Sequence, residues 1–325
     1  MSAVDIQAPV SLSGATRWRD RLGDHTLYAL GLAATLLTLT TIALIIWKIV
    51  EGANPAVGKF GLSFFTGQDW NAVTDQYSGL TFIFGTAVTS LLALLIATPL
   101  SIAIGLYLAD LAPKSLRSPV GAMVETLAGV PSVLIGLWGI IVLGPIVRTD
   151  IAPALNAVLG WTPFFAKPAF GYTGASMLSA TIILVIMIVP IVSSVSRELF
   201  TRVPRDIQDG SLALGATRWE TIRRVVIPHV GPGILAAAVL GLGRAIGEAI
   251  AVTQVIGVTT HGLSVNFLNT GDTLASRIAG QFQGAVSKLQ IASLFYLALI
   301  LLVLSLIFNL GALLIIRHVE RSRGG

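Results

Sequence analysis

Arg244 and Glu248 are the two side chains whose chemistry is hardest to place in this sequence. They stand in Gly241-Leu242-Gly243-Arg244-Ala245-Ile246-Gly247-Glu248, inside an apolar run from Gly233 to Val258. A charge at the centre of a membrane helix costs about 2.5–3.5 kcal/mol on insertion scales, so such groups face a bundle interior or a wet cavity. Arg244 lies about 12 residues into the run, near mid-depth at ~1.5 Å per residue. A spacing of four puts Glu248 on the same helical face. Two readings stand. In one, the pair neutralises itself and locks helix packing. In the other, Arg244 offers its planar fork of donors to a passing oxyanion. Glu248 then holds the arginine and keeps the attraction weak, as a pathway requires. Gly241, Gly243 and Gly247 let helices approach or leave room for an ion.

Other candidates are fewer. Glu125 sits near the start of the third apolar run, either as a carboxylate favoured at a helix N-terminus or as a gate or coupling group. Thr86, Thr89 and Ser90 suit hydrogen bonds between helices more than contacts to oxygen atoms of a cargo. The four histidines are scattered and suggest no metal cluster, and the absence of cysteine excludes thiolate sites and disulfides. No G-x-x-x-x-G-K-[ST] loop occurs, so the chain is not itself a conventional P-loop ATPase.

The elements that position these residues are membrane spans. The chain is 54% hydrophobic and 11% charged over 325 residues, against about 25% charged in soluble domains. A span needs roughly 20 apolar residues. Six runs qualify, at 26–50, 80–109, 120–147, 175–196, 233–258 and 292–316. The first is too long for a cleavable signal core of roughly 7–15 residues and reads as a retained span. Pro99, Pro131 and Pro190 read as kinks within spans. Fourteen Lys/Arg fall in residues 1–25, the loops 110–119 and 197–232 and the tail 317–325, against six on the other side. The positive-inside rule then puts both termini in the cytoplasm. The expectation is an all-α integral membrane protein of six transmembrane helices, with a cytoplasmic loop at 197–232. Phe60, Phe64, Phe65, Trp70, Trp161, Phe164 and Phe165 lie in the outward loops, as an interfacial belt or as docking contacts.

Within 197–232 the pattern predicts two short helices around a bend. Pro204 opens the first, Gly215 supplies the bend, and Thr217-Arg218-Trp219-Glu220 is a capping box for the second. Pro228 and Gly231-Pro232 are expected to end the unit before the fifth span. Leu212, Leu214, Trp219 and Ile222 need cover, from the spans' own ends or from a groove on a cytosolic protein. Gly14-Ala15-Thr16-Arg17-Trp18 recurs as Gly215-Ala216-Thr217-Arg218-Trp219, by coincidence or as a second docking contact.

These residues carry a resemblance. Asp209-Gly210-Ser211, Gly215 and Val225-x-Ile227-Pro228 resemble the EAA loop of ABC importer permeases: E-A-A, three residues, G, nine residues, I-x-L-P. The glycine, the gap and the proline are kept, and Asp-Gly-Ser replaces Glu-Ala-Ala. The resemblance implies a type I importer permease whose loop 204–228 sits in a cleft of an ATPase subunit. It assigns coupling to Asp209, Gly210, Ser211, Leu214, Gly215, Ala216, Thr217, Trp219 and Pro228. The Arg244–Glu248 stretch with Ala251-Val252-Thr253-Gln254-Val255-Ile256-Gly257 is similar to phosphate permeases of the PstC type. So are Glu125-Thr126-Leu127-Ala128-Gly129-Val130-Pro131-Ser132-Val133 with Gly136-Leu137-Trp138-Gly139, and Thr273-Leu274-Ala275-Ser276-Arg277-Ile278-Ala279. What this implies is a pore subunit with Arg244 and Glu248 on the pathway, partnered by a PstA-type permease, a PstB-type ATPase dimer and a PstS-type external phosphate-binding protein. It further implies that the chain itself binds no cofactor, no metal and no nucleic acid, with ATP and Mg used by the partner ATPase. The location implied is the bacterial inner membrane, in contact with lipid. The alternatives are sulfate, molybdate or tungstate as cargo, or a secondary transporter, which commonly shows paired interrupted helices.

Overall fold

A computed structural model describes residues 14–258 and 262–321, with side chains from 23 to 317. The helices in chain order are α1 Gly14–Phe60, α2 Leu80–Leu111, α3 Lys114–Ala128, α4 Ser132–Leu159 and α5 Met177–Thr201. They continue with α6 Arg205–Ala213, α7 Arg218–Gly247, α8 Ile250–Ile256, α9 Leu274–Gln281 and α10 Lys288–Arg321. A short antiparallel hairpin, β1 Trp70–Asn71 and β2 Gln76–Tyr77, precedes α2. Among the described residues, six helices are long and apolar enough to cross a membrane: α1, α2, α4, α5, α7 and α10. Several change register through wide π turns, at Tyr107–Leu111, Gly139–Leu143, Val147–Ile151 and Ile222–Val226.

The chain divides at Glu51 into two compact units. In the first, apolar side chains from Leu27 to Trp47 are exposed, as suits a helix whose solvent is hydrocarbon. The second unit, from Gly52, holds the packed interior. There α2 packs along α5, and α7 packs against α5, α2 and α10. Ala180, Ile183, Leu184, Ile188 and Val192 of α5 are fully buried in the central cluster. Small residues permit the crossings: a Cβ on Gly105 would meet Ser196 Cβ at 2.8 Å, and one on Gly241 would meet Ile188 Cγ2 at 2.9 Å.

The bundle has two chemically different ends. At the hook end, Ala109, Phe200, Val203, Val226, Val230 and Ile234 close a small apolar cluster where α6 and α7 emerge. At the loop end, the first N–H groups of α5 would lack intrahelical partners. Carbonyls fill the need: Ser176 N donates to Val255 O at 3.0 Å, Met177 N to Asn269 O at 3.0 Å and Leu178 N to Phe267 O at 2.9 Å. The Ser176 hydroxyl caps Ser179 N. Helix termini thereby weld the 264–273 loop to the bundle.

Two expected spans are broken helices. Gly121 lies against Arg197 near the hook end, Gly139 against Ile183, and Gly144 against Gly174 at the loop end. The passage expected over 120–147 therefore consists of α3 and part of α4, interrupted at 129–131. Pro131 disfavours α backbone in the residue before it and cannot donate into a continuing ladder. The passage expected over 233–258 is α7 plus α8. Gly233 lies against Leu199 and Gly241 against Ile188 and Val192, while Val255 reaches Ser176. The break at 248–249 thus falls inside the bundle, between the levels of Ile188 and Ser176. Pro228 and Pro232 do not end the preceding unit, since α7 runs through both. The wide turn Ile222–Val226 resets the register, leaving Pro228 at a fresh helical start, where its missing N–H matters least.

The outward aromatics split. Phe64 is fully buried and stacks on Tyr296 at 4.4 Å, and Phe164 and Phe165 pack on Phe267. Trp161 is the most exposed of this group, at 84%.

Candidate functional site

Arg244 occupies the last turn of α7, a favourable place for a cation beside unpaired carbonyls. The α7 face bearing Ala237, Gly241, Leu242 and Ala245 is buried. The other face, Ala236, Leu240, Arg244 and Gly247, is exposed as a continuous stripe in this chain. Glu248 then leaves the helix with φ −72° and ψ 111°. Its Oε1 accepts a hydrogen bond from Ala251 N at 3.2 Å and caps α8. The expected i,i+4 pairing is therefore corrected. The two charges belong to different helices, and no ion pair joins them among the described residues. An i,i+4 contact needs uninterrupted helix between its members, and the ladder stops at Gly247. Arg244 is left as an unpaired cation on an open stripe at mid-bundle depth, a position that hydrocarbon alone would penalise.

Arg277, which the sequence pattern identified only as a loop charge and part of a family-like stretch, has the opposite setting. It is 6% exposed and pairs with Asp272, 5% exposed, through an Nη2–Oδ2 contact of 2.6 Å. Its guanidinium lies 4.6 Å from the Phe82 ring centroid and 5.8 Å from that of Trp70, cation–π distances. Burial pushes the Asp272 carboxyl up from its ordinary value, while Arg277 and hydrogen bonds from Ser276 and Thr273 pull it down. Burial likewise lowers Arg277, and Asp272 raises it. The joint is welded to α2. A Cβ on Gly85 would stand 2.0 Å from Asp272 O, and Leu274 N donates to Thr86 Oγ1 at 2.9 Å. The available signal was local: Thr273 and Ser276 form a cap for α9, with a charge following inside an otherwise apolar face.

The threonines and serine of α2 mainly serve their own helix. Thr86, Thr89 and Ser90 donate to Phe82, Gly85 and Thr86 carbonyls respectively. Thr86 alone of the three also reaches another segment, through Leu274 N.

The hook follows its local chemistry. Gly215 has φ +89°, a left-handed turn that glycine adopts freely. Thr217 and Glu220 form the reciprocal capping box at the start of α7. Ser211 Oγ and Thr221 Oγ1 lie 3.1 Å apart and join α6 to α7. Asp209 and Gly210 are exposed on α6, and Ala216 is half-buried at the bend. Leu214 is 91% exposed and Trp219 63% exposed, so the spans' own ends leave them uncovered. The side chains of the first copy of the Gly-Ala-Thr-Arg-Trp repeat lie outside the described residues.

Glu125 is near the C-terminal end of α3, not at a helix N-terminus as expected, because α3 begins at Lys114. The local helix field disfavours a carboxylate there. Arg197 Nη1, 3.3 Å away, offsets it and ties α3 to α5. Gly121 makes room for that arginine, since a Cβ would sit 2.1 Å from Nη1.

Six apolar spans, one of them broken beside an exposed arginine, and an apolar hook at one end define a multi-pass membrane transport subunit. The fold is that of an ABC transporter membrane subunit. It matches the structure titled "Crystal structure of bacterial alginate ABC transporter in complex with alginate pentasaccharide-bound periplasmic protein" with a TM-score of 0.61 and 18% identity, covering 91% of this chain and 95% of that one. Residues 101–323 match the family model described as binding-protein-dependent transport system inner membrane component, and the chain belongs to that family. It is 37% identical over 330 residues to the phosphate transport system permease protein PstC of Mesorhizobium japonicum, covering 100% of both chains. It is 36% identical over 325 residues to the protein of the same name from Xylella fastidiosa, again covering 100% of both.

Proposed function

We propose that this chain is one of two permease subunits of an ATP-driven phosphate importer in the bacterial inner membrane, with both termini in the cytoplasm. Full-length similarity to proteins named phosphate permeases supports the cargo. The observation that carries the mechanism is the unpaired Arg244 on an exposed stripe beside a mid-bundle helix break. A second permease subunit covers that stripe and turns it into the wall of a wet path. Phosphate meets the guanidinium there through charge-assisted hydrogen bonds. Glu248, committed to the α8 terminus, shapes the break and tempers the field without occupying the arginine.

Force arrives at the other end. The exposed Leu214 and Trp219 insert into a cleft on an ATPase dimer that binds MgATP, and the α6–α7 hook transmits closure of that dimer into α7, the helix bearing Arg244. An external phosphate-binding protein delivers the ion at the loop end. Uptake by the assembled importer in liposomes tests the arginine. Arg244→Ala removes a charge-assisted contact worth about 1.5–3 kcal/mol, so uptake falls by about 10- to 100-fold. Undiminished phosphate uptake would remove the proposal. Competition by sulfate and molybdate in the same assay fixes the cargo.

A further inference from the structure

At the loop end, β1, β2, the first turn of α2 and α9 surround an open pocket of about 250 Å³, far above the ~10–15 Å³ that one water needs. Its lining includes Trp70, Asn71, Gln76, Thr81 and Arg277, with Asp69 as its lining carboxylate. Two of these groups are more than a structural joint requires. Arg277 spends Nη2 on Asp272, but its Nε has no hydrogen-bond partner among the described residues. Thr81, 9% exposed in the first turn of α2, has an unpartnered Oγ1. A buried polar group left unmade costs about 1–3 kcal/mol, so a small side-chain shift that brings either atom from its closed position to an acceptor in the pocket is favoured. The N-terminus of α2 adds a field that favours negative charge. Asp272 does not compete for the ligand, because its oxygens already accept from Arg277, Ser276 and Thr273.

We propose that this pocket is a weak binding station for a tetrahedral oxyanion, held by Arg277, Thr81 and the side-chain amides of Asn71 and Gln76. It is distinct from Arg244 and occupied before the ion reaches it. The choice of phosphate as probe rests on the function proposed above; the site itself does not. Arg277 is half-committed to Asp272 and Asp69 repels the ion, so binding is loose enough for release inward.

The test is hydrogen exchange of residues 80–83 in the assembled importer in lipid nanodiscs, without an external binding protein, at up to about 10 mM phosphate, ten times what half-fills a millimolar site. Phosphate should slow exchange there in the wild type and in Arg244→Gln alike, and sulfate should compete where acetate does not. Asn71→Asp keeps the oxygen that accepts from Val73 N and Thr74 N. It adds one like charge, which should weaken phosphate about fivefold without lowering the melting temperature. No slowing in the wild type, equal slowing by acetate, or an unaffected Asn71→Asp complex would each overturn the station. Slowing at 80–83 combined with uptake indifferent to Arg244 would sink the pathway proposal and leave the station standing. Uptake that depends on Arg244 without slowing would do the reverse.

Discussion

Arg277 is enclosed by the chain: an aspartate at 2.6 Å, an aromatic ring below it, and 6% of its surface in contact with solvent. Arg244 is exposed, makes no ion pair among the described residues, and lies beside a helix break within the bundle. Both are cations in an apolar protein, where an unpaired charge is costly. Folding neutralises one with the chain's own aspartate and leaves the other for something the chain does not contain. The first arginine is above all a joint, with only its Nε to spare beside the loop-end pocket, and the second is an invitation to an ion and a second subunit.

The largest expected effect breaks the joint. Arg277→Ala strands a buried carboxylate and should destabilise the fold by about 3–5 kcal/mol. Arg244→Ala, on an exposed stripe, should stay within about 0.5 kcal/mol while abolishing most uptake. Thermal unfolding in detergent, paired with uptake in liposomes, reads both. If the two melting shifts were equal, the contrast between the arginines would be gone. The double variant Asp272→Asn/Arg277→Gln sharpens it, since removing both charges avoids the stranded ion. It should recover more than half of the loss, because a buried pair contributes little net stability over a neutral replacement.

The contrast also separates what sequence alone could tell. Arg244 stood out because the apolar run from Gly233 to Val258 made a charge there anomalous. The break beside it did not, because no proline marks Gly247-Glu248-Ala249, and an uninterrupted helix fits the same letters. The hook was legible down to its capping box because Gly215, Thr217 and Glu220 act within a few residues of one another. Arg277 was not, because Asp272 reads as one more loop charge and the rings that enclose the pair, Phe82 and Trp70, lie about two hundred residues earlier. Gly85 gives no hint in sequence that a distant carbonyl needs its missing Cβ. Glu125 was misplaced for a related reason: the start of α3 precedes the apolar run by several residues.

A smaller effect follows from that carbonyl. Gly85→Ala forces α2 away from Asp272 O, which would otherwise lie 2.0 Å from the new Cβ. Overpacking of this kind costs about 1–3 kcal/mol. Because the same shift loosens Leu274 N from Thr86 Oγ1, uptake should fall along with the melting temperature. A variant as stable as the wild type would mean that the loop does not depend on its seat against α2.

The smallest effect lies at the hook, far from both arginines. Thr217→Ala deletes the hydroxyl that accepts from Glu220 N, a loss of about 1 kcal/mol for a helix cap. The loss stays local, because the cluster of Phe200, Val226 and Val230 holds the rest of α7 in place. The melting temperature should therefore hardly move, while amides at the start of α7 exchange faster. If the hook carries force toward Arg244, uptake per ATP hydrolysed should drop as this turn frays, even though phosphate meets an unaltered arginine. Faster exchange with an unchanged transport ratio would confine the hook to docking, and leave Arg244 to be moved by some other helix.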